Sequence, residues 1–300
     1  MADTIKSVYG KFFAEMAQKS AAASVVSENT SYEEANLETR KYGYKMISDY
    51  ALPGSGLGNP EAFKALYDAV TKEGKRGLIM MEHLSNMDLP SIVYFLENYG
   101  EEWSADMSKR IVAIAGKKLN ETNVGVRAFA EAFSRVIVYP TRSLIDAQAK
   151  METQEEKDAE AARAKKINFA SMRAMNECSK RGQIILVFPS GTRYRPGVEE
   201  TRRGLREMDS YLRIFDKMIL VTMNGQCLHI SEDNPNDMLA DELTHEVVTL
   251  TASPLIDCKE FRQQSLENLP ADCEDPKQKT VDDVMAYLRK QHDDVEKTRK

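Results

Sequence analysis

The 300-residue chain has only four cysteines, four histidines and one tryptophan, and it has no long apolar run. Each scarcity excludes something. Cys178, Cys227, Cys258 and Cys273 show no CxxC spacing and no histidine at metal-finger intervals. They are expected to be reduced structural thiols, and a zinc site is not expected. The apolar runs Leu78–Met81, Ile184–Phe188 and Met218–Val221 all fall far short of the roughly 18 to 20 residues that cross a bilayer. The stretch Met1–Lys6 lacks the basic start and apolar core of a secretory signal, so a cytoplasmic protein is expected. An excess of acidic over basic residues, net charge −6, argues against a nucleic-acid partner, although it leaves room for a local basic pocket.

What is present is an alternation of apolar runs and helical patterns. Residues 5–27 carry Ile5, Val8, Tyr9, Phe12, Phe13, Met16 and Ala17 at helical spacing, and a second pattern covers Tyr32 to about Tyr50; together they predict a helical hairpin. Pro53–Pro60 is rich in Gly and Pro and reads as a linker. Beyond it, Glu61–Glu73 reads as helix, Gly77–Met81 as strand and Ser91–Asn98 as helix. Strands follow at Arg110–Gly116, at Arg135–Arg142 with a basic end, at Gln183–Phe188, at Met218–Met223 and at Glu246–Ala252. Between them Val124–Phe133 and the charge-rich stretch from Ile145 to Arg181 read as helical, with an acidic patch over Glu152–Glu160, and Val281–Arg289 reads as a last helix. Such alternation predicts an α/β fold with a central mixed, largely parallel sheet flanked by helices. Residues 1–52 are expected to form an N-terminal helical segment and residues 53–300 the α/β domain.

Two short stretches carry the chemistry. The first, Met81-Glu-His83-Leu-Ser-Asn-Met-Asp88-Leu-Pro90, lies at a strand-to-helix junction, where side chains of an α/β sheet face a cleft. An imidazole with a carboxylate in reach suits general-base work on a hydroxyl, because the carboxylate fixes the tautomer and stabilises the imidazolium. The bland alternative is that Asp88 caps the helix, with Pro90 in its first turn. The second stretch is Phe188-Pro-Ser190-Gly191-Thr192-Arg193-Tyr-Arg195-Pro. Gly191 permits a tight turn, and two arginines spaced by two suit a phosphate or carboxylate. Here the bland alternative is a turn whose arginines pair with Glu199, Glu200 or the acidic helix. Arg142 also ends an expected strand and so is a candidate for the same cleft.

The pair of motifs, H-x4-D at His83–Asp88 and F-P-S-G-T-R at Phe188–Arg193, resembles the glycerolipid acyltransferase family, whose members carry H-x4-D and a later F-P-E-G-T-R block. The likeness covers roughly residues 60 to 260. Within the family it is most similar to the soluble, plastid-type glycerol-3-phosphate acyltransferases. Ser190 stands in place of the usual Glu, and the order of the Ile114–Gly116 and Val136–Tyr139 blocks and the long charged helix matches that branch. The chain departs from the family pattern in three places. Glu82 stands where Asn is usual, Arg142 stands alone where a Lys-His pair is common, and Leu220–Met223 lacks a proline.

The resemblance implies transfer of a fatty acyl group from acyl-carrier protein or acyl-CoA to the sn-1 hydroxyl of glycerol 3-phosphate, in phospholipid biosynthesis. His83 would be the general base and Asp88 its orienting partner, and no metal or redox cofactor is implied. Arg142, Arg193 and Arg195 would bind the phosphate, with Ser190, Gly191 and Thr192 forming the substrate loop. Exposed Lys109–Arg110, Lys117–Lys118 or Arg202–Arg203 would suit an acidic carrier protein or a peripheral contact with anionic lipid. Two other readings remain open: a 1-acylglycerol-3-phosphate acyltransferase, and a protein that binds phosphate esters without catalysis.

Overall fold

The structure is a computed structural model and describes residues 3–121 and 124–299. The chain opens with α1 (Ile5–Lys19), β1 (Tyr32–Glu33) and α2 (Leu37–Tyr50). Next come β2 (Gly56–Leu57), α3 (Pro60–Thr71), β3 (Gly77–Met81), α4 (Asp88–Glu97) and α5 (Glu102–Arg110). They are followed by β4 (Ile111–Gly116), α6 (Lys118–Glu121), α7 (Val124–Ala130), β5 (Arg135–Val138), α8 (Thr141–Gln148), α9 (Gln154–Lys180) and β6 (Ile184–Val187). The remainder holds α10 (Met208–Ile214), β7 (Lys217–Asn224), β8 (Leu228–His229), β9 (Glu242–Leu243), β10 (Thr249–Ala252), β11 (Ile256–Asp257), α11 (Cys258–Glu267) and α12 (Pro276–Thr298). The architecture is α/β, with mixed, largely parallel sheet and flanking helices, and it begins with a helix.

The chain divides into two compact units. The first comprises the residues before Tyr9, Tyr44–Ile111 and the chain from Gly182 onward. Its centre is β3, parallel to β6 on one side and to β7 on the other, with Ile79 opposite both Leu186 and Ile219. All five residues of β3 are buried. A strand covered on both faces has no polar face to alternate, which is why these strands appear in the sequence as unbroken apolar runs. β7 then pairs antiparallel with β10 and β11, and β2 runs parallel to β10. α3 and α12 pack on β7. At the start of these strands Arg76 grips Asp216 with two prongs, Nε to Oδ2 at 3.0 Å and Nη2 to Oδ1 at 2.8 Å. That guanidinium lowers the Asp216 carboxyl to about 2.

The second unit comprises Tyr9–Gly43 and Val112–Arg181. Here β4 runs parallel to β5, and β1 pairs antiparallel with β5, Tyr32 opposite Val136. α9 covers β5, burying Ile137 and Tyr139 against Ala164, Ile167 and Val26. Thr153 and Glu156 form a capping box at the start of α9, so the acidic patch is the first turns of a helix whose positive end it complements.

Several elements differ from the sequence expectation. Pro53–Pro60 is no linker, since β2 hydrogen-bonds to β10 there. The pattern beginning at Tyr32 opens as a strand before α2 starts at Leu37. The strand ending in Arg142 stops at Val138, and Pro140 turns the chain into α8, so Arg142 sits in the first turn of a helix. Pro at that position suits a helix start because its missing N–H costs nothing there. α12 runs nine residues beyond Arg289, its charged continuation hiding the helical periodicity. Among the described residues no helix is long and apolar enough to cross a membrane.

Candidate active site

The first motif is wound around one carboxylate. Asp88 is fully buried at the start of α4. It accepts hydrogen bonds from His83 Nδ1 at 2.8 Å, Leu84 N–H at 2.6 Å, Ser85 N–H at 3.0 Å and Ser85 Oγ at 2.8 Å. The five-residue spacing follows from this geometry. The chain leaves β3, makes one loop, and the side chain of its closing residue lies under the amides of the loop's beginning. Ser85 Oγ in turn accepts the Met87 N–H at 3.0 Å. Asp88 is therefore the hub of the preceding loop, not a cap for the helix that follows. A carboxylate can only accept, so neutral His83 carries its proton on Nδ1 and presents an unprotonated Nε2. Among the described residues Nε2 has no partner.

The second motif lies directly against the first. The Phe188 ring stacks on the His83 imidazole, with centroids 4.0 Å apart and planes at 16°. The Tyr194 N–H donates to the His83 carbonyl at 2.7 Å. Parallel pairing of β3 with β6 makes this neighbourhood inevitable, because both motifs leave the carboxyl ends of adjacent strands. Gly191 adopts φ +63, and a Cβ there would lie 2.4 Å from Leu205 Cδ1, so the turn needs glycine on two counts. Ser190 is buried, with its Oγ donating to the Thr192 carbonyl at 2.7 Å.

A cleft opens at this junction, lined by His83, Ser190 and Tyr194 together with residues of α12. Leu84, Met285 and Leu288 give it an apolar wall, while Glu82, Arg202, Arg289, His292 and Asp293 supply charge. Arg193 and Arg195 do not line it. Arg193 forms an ion pair with Asp241, which is completely buried. That burial pushes the Asp241 carboxyl up, against the pull of the guanidinium. Arg195 reaches the Asn236 side chain at 3.2 Å, and its backbone N–H donates to Thr201 Oγ1 at 2.9 Å. Neither arginine pairs with Glu199 or Glu200. Arg142 is exposed in the second unit.

Of the basic pairs suited to docking, Lys117, Lys118 and Arg110 are engaged in ion pairs. Lys117 is buried, paired with Glu121 at 3.0 Å and 4.1 Å from the centroid of the Tyr139 ring. Arg110 is held by Asp106 at 2.6 Å. The contribution of α12 was not foreseen from sequence. Its one available signal was the departure at Glu82, whose carboxylate meets His292 Nδ1 at 2.8 Å. Among the described residues no group of three or more His, Cys, Asp or Glu side chains is placed to hold a metal ion.

A parallel α/β core with a histidine–aspartate pair at the carboxyl end of its central strand defines a protein equipped for base-assisted chemistry. A model of the Acyltransferase family matches residues 60–215, which include both motifs and just over half of the chain. The chain belongs to this acyltransferase family and is an enzyme that moves acyl groups from a donor to an acceptor. No curated protein matches the chain.

Proposed function

We propose that this acyltransferase moves a fatty acyl group from acyl-carrier protein or acyl-CoA to the sn-1 hydroxyl of glycerol 3-phosphate, giving lysophosphatidate. The observation that carries the reading is the His83–Asp88 pair, 2.8 Å apart, with its free nitrogen in a cleft of mixed apolar and charged lining.

His83 Nε2 takes the proton of the acceptor hydroxyl as its oxygen attacks the thioester carbonyl. The C–O bond forms, the tetrahedral intermediate collapses, and the C–S bond breaks. The imidazolium then returns the proton to the departing sulfur. Asp88 keeps the tautomer and compensates the charge while the ring is protonated. The nucleophile belongs to the substrate, so no acyl-enzyme forms. The apolar wall of Leu84, Met285 and Leu288 suits the first carbons of the acyl chain. Arg193, already engaged by Asp241, holds the turn that Ser190, Gly191 and Thr192 build.

The test is transfer of labelled acyl groups from each thioester to glycerol 3-phosphate and to lysophosphatidate, by the wild type and by His83→Ala. Ester formation on glycerol 3-phosphate that disappears in the variant supports the proposal. Turnover on lysophosphatidate alone moves the acceptor to a monoacylated glycerol phosphate. Binding of glycerol 3-phosphate without turnover on either acceptor refutes the catalytic reading of His83.

A further inference from the structure

The cleft holds a second imidazole. His292, on α12, has its Nδ1 on Glu82 at 2.8 Å, and its Nε2 has no partner among the described residues. Glu82 also accepts the Met223 N–H, and the His292 carbonyl accepts from Asn224 Nδ2 at 3.1 Å, so both ring and backbone are anchored to the β7 region. Donation to the Glu82 carboxylate raises the pKa of His292 and favours its charged form, while burial pushes the Glu82 carboxyl up. The other charged groups near it are Arg289, Asp293 and Glu296 on its own helix, His83 on the loop after β3, and Arg202 beyond β6. Glu296 is already engaged by Asn224 at 2.8 Å and by Arg299 at 3.4 Å.

The Arg202 guanidinium lies 3.7 Å from the centroid of the Tyr194 ring, which pre-orders it. Among the described residues neither Arg202 nor Arg289 is in an ion pair, although Asp293 lines the same cleft. With Arg193 committed to Asp241, the uncommitted positive charge in the cleft comes from Arg202 and Arg289, and His292, paired with Glu82 through Nδ1, adds its Nε2 beside them. Arg289 and His292 are three residues apart and so share one face of α12.

We propose that Arg202, Arg289 and His292 form the seat for the phosphate monoester of the acceptor, next to the hydroxyl that His83 activates. The inference rests on the acceptor reading given above and adds the residues that select it. Two guanidiniums and an imidazolium offer a doubly charged phosphate several charge-assisted hydrogen bonds. Substrate selection then depends on α12 as well as on the motif loops.

Calorimetric titration of glycerol 3-phosphate, and separately of inorganic phosphate, into the wild type, Arg202→Ala, Arg289→Ala and His292→Gln tests this, with KM for both substrates measured on the same preparations. Arg289 is exposed, so its removal leaves the fold intact. Each substitution is expected to weaken glycerol 3-phosphate binding about tenfold or more, raising its KM while the KM of the thioester stays put. Glu82→Gln is expected to move the loss of affinity with rising pH to lower pH, which a purely structural role would not do. Unchanged affinity in both arginine variants overturns the inference, as does a rise confined to the thioester KM, which would give these cations to the donor's own phosphates. Affinity lost in the variants without wild-type turnover on glycerol 3-phosphate leaves the seat standing and refutes the acceptor. Turnover with unchanged affinity does the reverse.

Discussion

Replacing Asp88 by asparagine separates the two things this carboxylate does. Asn has the same shape but offers one acceptor oxygen and one amide group that can only donate. If the oxygen keeps the Ser85 contacts, at 3.0 and 2.8 Å, the amide faces Leu84 N–H and His83 Nδ1. The Leu84 N–H, now 2.6 Å from an oxygen, then meets another donor, and an unsatisfied buried N–H costs about 1–3 kcal/mol. His83 escapes the same conflict by moving its proton to Nε2, which removes the base. Activity is therefore expected to fall about 10⁴-fold, while denaturant unfolding reports a loss of about 1–3 kcal/mol. His83→Ala should lose at least about 10²-fold in rate at a cost of only about 1 kcal/mol from the lost Phe188 stack. The double variant decides between a unit and two independent contributors. A unit gives a rate no lower than the worse single variant, with the stability cost of Asp88→Asn still present. Release of free thiol from the thioester, followed at saturating donor, measures the rates. Losses that multiply in the double variant would refute the dyad, as would an Asp88→Asn enzyme retaining more than about a tenth of its activity.

Arg193→Ala strands the buried Asp241 and is expected to cost about 3–5 kcal/mol, much of it recovered in Arg193→Ala/Asp241→Asn; chemical unfolding of the three variants checks it. Gly191→Ala forces a side chain into positive φ and into Leu205, for a loss of about 2 kcal/mol readable as a lowered melting temperature. Burial pushes the thiols of Cys227 to about 11 and Cys258 to about 12, and Cys178 is also raised. A thiol reagent at neutral pH should therefore titrate Cys273 rapidly and the other three only on unfolding. His292 has a folded-state pKa raised above its unfolded value near 6.5. Its stabilisation is thus complete below that pH and lost as pH rises through the folded value. The stability gap between wild type and His292→Gln should shrink as pH is raised from 6.5, and a gap constant with pH would count against the Glu82 pairing.

Much of this architecture was legible because parallel strands announce themselves. Gly77–Met81 and Ile184–Val187 are short, wholly apolar and bounded by turn residues, and the H-x4-D spacing reports the loop that Asp88 closes. What stayed hidden was the part governed by partners distant in sequence. Gly56–Leu57 carries turn-forming residues and becomes strand only because β10 offers it hydrogen bonds. Arg193 reads in the sequence as a ligand for an anion, and its ion-pair partner Asp241 lies 48 residues later, where no local pattern announces it. The α12 wall was invisible for a related reason. The apolar stripe of that helix thins beyond Leu288, and the residues that reach the cleft, Arg289, His292 and Asp293, resemble any solvated helical face. The exposed pattern of α5 and the short α10 and α11 likewise fell below what periodicity alone resolves.

The link between Glu82 and His292 spans 210 residues. A ribosome adding about 5–20 residues per second produces Glu82 and His83 some 10–40 s before the helix that closes over them. For that interval the nascent chain can wind its loop around Asp88, yet one side of the cleft does not exist. Completion of the cleft is in this sense timed by synthesis, because its α12 wall is among the last parts of the chain to leave the ribosome.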